Sequence, residues 1–133
     1  MVGPMAKVTG IGGVFFKARD PAALKAWYQE HLGFDVEAWG GVLFRWKADE
    51  AVQRAEGVTV WHLADHDGDW FAPSQGSVMI NYRVDDLRAL VDQLAGAGVP
   101  LVKGVDEEPN GLFAWVMDPE GNKVELWEPH EMG

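Results

Sequence analysis

The sequence predicts an α+β fold built from two tandem β-α-β-β-β modules, and three observations carry that expectation. The second half repeats the first 66 positions later: Phe16-Lys17-Ala18-Arg19-Asp20 aligns with Tyr82-Arg83-Val84-Asp85-Asp86, and Ala23-Leu24 with Ala89-Leu90. Val58-Thr59-Val60-Trp61 aligns with Val124-Glu125-Leu126-Trp127 at the same offset. Each half also runs from strand-like alternation through a capped helix to further short strands. A duplicated supersecondary unit cannot bury its apolar face alone, so the two copies share one core. Residues 1–133 therefore read as a single domain, with modules at about 8–64 and 77–129 joined by 65–76.

The elements follow in order. Residues 1–7 form a lead-in. Val8–Ala18 alternates as a strand, with Gly12, Val14, Phe16 and Ala18 on one face and Gly13, Phe15 and Lys17 on the other. Asp20 is a good N-cap and Pro21 suits the first helical position, so a helix runs through Leu24, Trp27, Tyr28 and His31 to a stop at Gly33. Strands are expected at Val42–Trp46 and Val58–Leu63. In the second module Ser77–Val84 is a strand and Asp85 or Asp86 caps a helix through Leu87, Leu90, Val91 and Leu94. Gly96-Ala97-Gly98 ends that helix. Strands are then expected at Leu101–Val105, Phe113–Met117 and Lys123–Trp127. Asp118-Pro119-Glu120-Gly121-Asn122 is a turn: proline presets φ, and Gly121 or Asn122 tolerates positive φ.

Composition narrows the function classes. The net charge of −10, from 21 acidic and 11 basic residues, repels phosphate backbones and anionic lipid. Nucleic acid and membrane surfaces are therefore not expected partners, and cationic ligands are weakly favoured. The chain has no cysteine, hence no disulfide, thiol nucleophile or thiolate metal site. No apolar run approaches the ~20 residues that span a bilayer, and the first residues lack signal-peptide character. A cytoplasmic location is the expectation. Seven tryptophans exceed what packing alone calls for, so some should line a ligand cavity.

The duplicated unit, the Val84-Asp85-Asp86-Leu87 segment before the second helix and the Asp118-Pro119-Glu120-Gly121-Asn122-Lys123-Val124-Glu125-Leu126 ending resemble the vicinal oxygen chelate superfamily. That superfamily includes glyoxalases, bleomycin-resistance proteins and extradiol dioxygenases. The resemblance spans about Val8 to Pro129. It implies a cup-shaped, partly open mixed sheet with helices outside, a ligand in the cup, and a homodimer. It also implies four metal positions: one on the first strand and one on the last strand of each module. Alignment puts these at Gly13, Thr59, Met79 and Glu125. Only Glu125 is an ordinary hard-metal ligand, since glycine offers no side chain, a thioether suits copper(I), and threonine is a poor donor. A catalytic metal needs about three protein ligands. No metal or other cofactor is expected.

Strand parity then extends the cup. If those four positions face inward, so do Phe15, Trp61, Asn81 and Trp127, with Trp115 alongside. The opposite face, Val14, Phe16, Ile80, Tyr82, Val58, Val60, Val124 and Leu126, is an apolar layer for the helices. Aromatic walls with one amide, one hydroxyl, one thioether and one carboxylate suit a small-molecule pocket. Glu125 has two readings: a desolvated general base or ligand anchor, or an acid hydrogen-bonded to Asn81, Thr59 or water. Asn81 either orients a ligand carbonyl or satisfies Glu125. Met79 reads as adaptable packing.

The four histidines add little. His62 and His66 are four apart, but that spacing has meaning only on a helix. Asp65-His66-Asp67-Gly68-Asp69 departs from a calcium loop, with a misplaced glycine and Gly76 at the twelfth position. It reads as a solvated acidic turn, with Trp70 and Phe71 placed to act as a lid. His31 suits a helix C-terminus, and His130 lies in the tail. The reading is a small-molecule binder without the superfamily's metal. The alternatives are a metal-dependent lyase, isomerase or dioxygenase, and a drug-sequestering protein. A fold with so many activities does not choose among them.

Overall fold

A computed structural model describes residues 6–46 and 57–130. The start of the lead-in, the connection from 47 to 56 and the tail after 130 lie outside these. The described elements are β1 (Val8–Ala18), α1 (Pro21–Leu32), β2 (Val42–Arg45), β3 (Val58–Asp65), β4 (Val78–Val84), α2 (Leu87–Gly96), β5 (Asp106–Glu108), β6 (Gly111–Met117) and β7 (Lys123–Pro129). They build an α+β fold on one open seven-stranded sheet, ordered β2-β3-β1-β4-β7-β6-β5. In each module the last strand runs parallel to the first, as β1–β3 and β4–β7, and the modules join through the antiparallel β1–β4 pair.

Local chemistry accounts for the boundaries. The Asp20 carboxylate accepts from the Ala23 backbone N–H at 3.1 Å, and Asp86 accepts from Ala89 at 3.1 Å, so both helices carry side-chain N-caps. Asp86 rather than Asp85 is the cap. Asp85 instead accepts from the Lys7 N–H at 2.9 Å, fastening the entry to β1. Gly33 ends α1 at φ 70°, the left-handed conformation glycine adopts without strain. Asp118 closes its turn by accepting from the backbones of Glu120 and Asn122, both at 2.9 Å.

One expected strand is absent. Leu101–Val105 is irregular, and the edge strand is the acidic Asp106–Glu108, which folds back on Gly111–Phe113. Leu101 and Val105 instead pack with α2 against Val84, Leu112, Ala114 and Leu126. Their apolarity serves that core, not a sheet face. The carboxylates of the short β5 discourage pairing of the sheet edge with another chain.

The helix-side core of the second module contains Tyr82, Val124 and Leu126, as parity required. That of the first contains Ala18, Val42, Trp61 and Leu63, with Phe16, Leu24, Tyr28 and Phe34 against them. Trp61 therefore faces α1, not the cup. The registers explain why. Phe15 pairs with His62 on β3, whereas its counterpart Asn81 pairs with Glu125 on β7. The 66-residue offset holds between β1 and β4 but falls to 63 between β3 and β7. The first module carries three extra residues between its first and last strands, and an odd shift turns every side chain to the other face. Val58 and Val60, expected under the helices, face the cup instead.

Candidate functional site

On the face away from the helices, the sheet lines a cavity of about 720 Å³. Phe15, Val60, Asn81, Phe113, Glu125 and Trp127 form much of its wall. A second space of about 490 Å³, between Trp115, Lys103, Lys123 and Asp69, shares Trp70, Asn110, Phe113 and Glu125 with the first, so the two are adjoining lobes.

Glu125 stands at the junction and is only 4% exposed. Its cross-strand neighbours are Asn81 on β4 and Trp115 on β6, so sheet register alone brings the three together. The Asn81 amide donates to Oε1 at 2.6 Å, and the Trp115 indole N–H donates to Oε2 at 2.8 Å. Burial raises the carboxyl pKa above its ordinary value of 4.5; the Asn81 and Trp115 hydrogen bonds and the nearby Lys123 oppose that rise. Asn81 Oδ1 is buried and has no hydrogen-bond partner among the described residues.

Aromatic rings line this face. Phe113 lies nearly parallel to Trp127, at 6.0 Å and 7°, and to Trp115, at 6.2 Å and 15°. The Trp127 indole N–H donates to the Asn110 carbonyl at 3.0 Å, fixing that ring against the edge of the cup. Gly12 opens the floor: a Cβ there would meet Asn81 Oδ1 at 2.3 Å and Trp127 Cε3 at 2.9 Å. Gly12 sits at the β1 bulge between Ile11 and Gly13, where the missing Cβ leaves room for the Asn81 and Trp127 side chains.

Other sequence-selected residues lie elsewhere. Met79 is 1% exposed and packs with Phe15, Ala64, Phe71 and Trp115, beneath the cavity and not on its wall. Phe71 is fully buried in that cluster, so it works as a plug; Trp70 alone of the expected lid pair lines the lobes. Thr59 lines neither lobe. Its hydroxyl donates to the Ile11 carbonyl and accepts from the Trp46 indole, both at 2.7 Å. Gly13 packs against the Phe15 ring. Trp61 contacts Tyr28 and Phe34, each at 4.9 Å between ring centroids.

The residue that sequence alignment missed is His62. It lines the larger lobe, and its Nδ1 is buried without a partner among the described residues. Burial, then the Lys25 charge, lowers its pKa below 6.5. Trp39 flanks the imidazole edge-on at 5.6 Å. A three-residue gap between the modules would have revealed its equivalence to Glu125. Phe113 and Arg83 share the parity of Trp115 and Asn81 and were accessible to the same argument.

With the β3 register shifted by three, the metal positions that the resemblance implies become Gly13, Met79, His62 and Glu125. They supply two donors of the kind that hold zinc, iron or manganese, short of a firm site. Both Glu125 oxygens already accept N–H hydrogen bonds, and no group of three His, Cys, Asp or Glu among the described residues could hold an ion. These residues do not fit the superfamily's metal. No described helix is long and apolar enough to cross a membrane.

The family model described as a glyoxalase-like domain matches residues 13–127. No curated protein matches the chain. Among solved structures, methylmalonyl-CoA epimerase from Mycobacterium tuberculosis is similar at TM-score 0.62 and 21% identity, covering 98% of this chain and 94% of that one. A Streptomyces coelicolor methylmalonyl-CoA epimerase variant in complex with 2-nitronate-propionyl-CoA aligns at TM-score 0.67 and 15% identity, over 94% and 100%. A glyoxalase/bleomycin resistance protein/dioxygenase superfamily member from Vibrio splendidus 12B01 aligns at TM-score 0.56 and 12% identity, over 92% and 99%. At these identities the structures share the fold, while the family model covers most of the sequence: the chain belongs to the glyoxalase-like domain family of the vicinal oxygen chelate superfamily.

Proposed function

We propose that this protein binds a small organic molecule in the larger lobe of the cup, without the superfamily's metal. The observation that carries the reading is a pair of orphaned polar atoms. Asn81 Oδ1 and His62 Nδ1 are buried without partners among the described residues, and both residues line an aromatic cavity of about 720 Å³. Unsatisfied buried polar atoms cost stability and are rare in folded proteins, so two on residues of one cavity wall point to side chains that turn toward a ligand or ordered water on binding. Phe15, Phe113 and Trp127 supply apolar contact, and Asn81 and His62 supply orientation. Fragment screening by tryptophan fluorescence tests this. Ligands should quench the wild-type signal saturably, and Asn81→Ala should weaken them about tenfold, the equivalent of one hydrogen bond near a charged group.

A second reading is favoured by Glu125. A carboxyl whose pKa is raised by burial is a stronger base than a free one once ionised, which makes proton transfer at an acidic C–H of the ligand the accessible chemistry. Solvent deuterium entering a bound ligand, and failing to do so in Glu125→Gln, would establish turnover. The resemblance also supports a cytoplasmic homodimer. Exposed Trp27 and Leu32 on α1 offer apolar surface for pairing, and light scattering would measure the mass.

A further inference from the structure

The charge lining the larger lobe is opposite to that of the whole chain. Overall there are 21 acidic and 11 basic residues. Yet the ionisable side chains on this lobe are Arg45, Arg83, His62 and His130, against the single carboxyl of Glu125. Arg45 and Arg83 project from β2 and β4 on the cup face, and neither forms an ion pair among the described residues. The Arg83 guanidinium sits 5.6 Å from the centroid of the Trp46 ring. No side-chain hydrogen bond from either guanidinium is found among the described residues, so their N–H donors are open to a ligand. The smaller lobe differs: Lys103 and Lys123 are offset there by Asp69, Asp106 and Glu108, and Lys103 is paired with Asp106 at 3.1 Å.

Resting on the binding reading above, we infer that the ligand is a planar organic carboxylate. Its flat body lies along Phe113 and Trp127, and its carboxylate is received by Arg83 and Arg45. Two facts choose this class. Guanidinium edges match a carboxylate with two parallel hydrogen bonds, and Phe113 and Trp127, whose planes lie within 7° of each other, favour a flat body aligned with them. A cationic ligand, which the net charge alone favours, would meet two guanidinium groups that form no ion pair among the described residues. Glu125 opposes this little, since its carboxyl sits at the floor and burial favours its neutral form. Two arginines inside the cup attract an anion at short range, an effect that salt weakens.

The test compares three probes with one ring system: naphthalene-2-carboxylate, its neutral amide, and 2-naphthylmethylammonium. Binding is read by titration calorimetry and by the Trp127 indole signal in NMR spectra. The carboxylate is expected to bind about tenfold tighter than the amide and more so than the cation, with the margin shrinking as salt is raised. The Arg45→Gln, Arg83→Gln double variant should bring the carboxylate-to-amide ratio to near one. Arg83→Lys, which retains charge but loses the fork, should fall between. Circular dichroism establishes that each variant folds. Equal binding of carboxylate and amide, tighter binding of the cation, or an unchanged ratio in the double variant would overturn the inference while leaving the cup as a binding site. If none of the three moves the Trp127 signal, the binding reading falls with it.

Discussion

His62 and Glu125 occupy equivalent positions in the two modules. Each lies on the strand parallel to its module's first strand, His62 beside Phe15 and Glu125 beside Asn81. Both line the larger lobe, and burial is the leading cause of both pKa shifts, in opposite directions. Both shifts favour the neutral form, which sets opposite pH signatures.

For Glu125 the folded state holds its proton more tightly than the unfolded chain. Its stabilisation is complete below about pH 4.5 and is lost as pH rises through the raised folded pKa. Glu125→Gln should remove that decline and flatten the denaturation midpoint above pH 4.5. Glu125→Ala orphans the Trp115 indole N–H and the Asn81 amide, and should cost about 1–3 kcal/mol. Urea titrations across pH measure both.

For His62 the sign reverses. The unfolded chain binds a proton more readily, so stability is present above pH 6.5 and falls as pH drops toward the lowered folded pKa. His62→Gln should abolish this acid-side loss while leaving the Glu125 slope intact. A variant that keeps the loss would mean the imidazole is not desolvated in solution.

Gly12→Ala places a methyl group 2.3 Å from Asn81 Oδ1 and 2.9 Å from Trp127. Overpacking of this kind costs about 1–3 kcal/mol. Combining it with Asn81→Ala should recover part of that loss, because the nearest clash is removed. Additive losses in the double-mutant cycle would place the strain elsewhere.

Trp61 and Trp127 should separate stability from binding. Trp61→Ala empties the core under α1 and should cost about 3–5 kcal/mol, with cup ligands still bound wherever the variant is folded. Trp127→Phe keeps an aromatic wall but loses the hydrogen bond to Asn110, so its larger effect should fall on ligand affinity. Parallel denaturation and binding titrations decide between them.

The sequence by itself determined the duplicated α+β fold, both capped helices, the Asp118 turn and the grouping of Glu125, Asn81, Trp115 and Trp127 on one face. These rest on local rules: caps, turn chemistry and the two-residue period within one strand. The structure assigns the faces of β3, because the number of residues between β1 and β3 changes parity without leaving a mark inside the strand. Trp61 and Thr59 were thereby misplaced and His62 overlooked. The irregular Leu101–Val105 shows the same limit, since its apolar side chains serve α2 packing just as well without a strand. The charge of the larger lobe was likewise beyond composition, since a sum over all residues carries no information about which of them converge on a cavity.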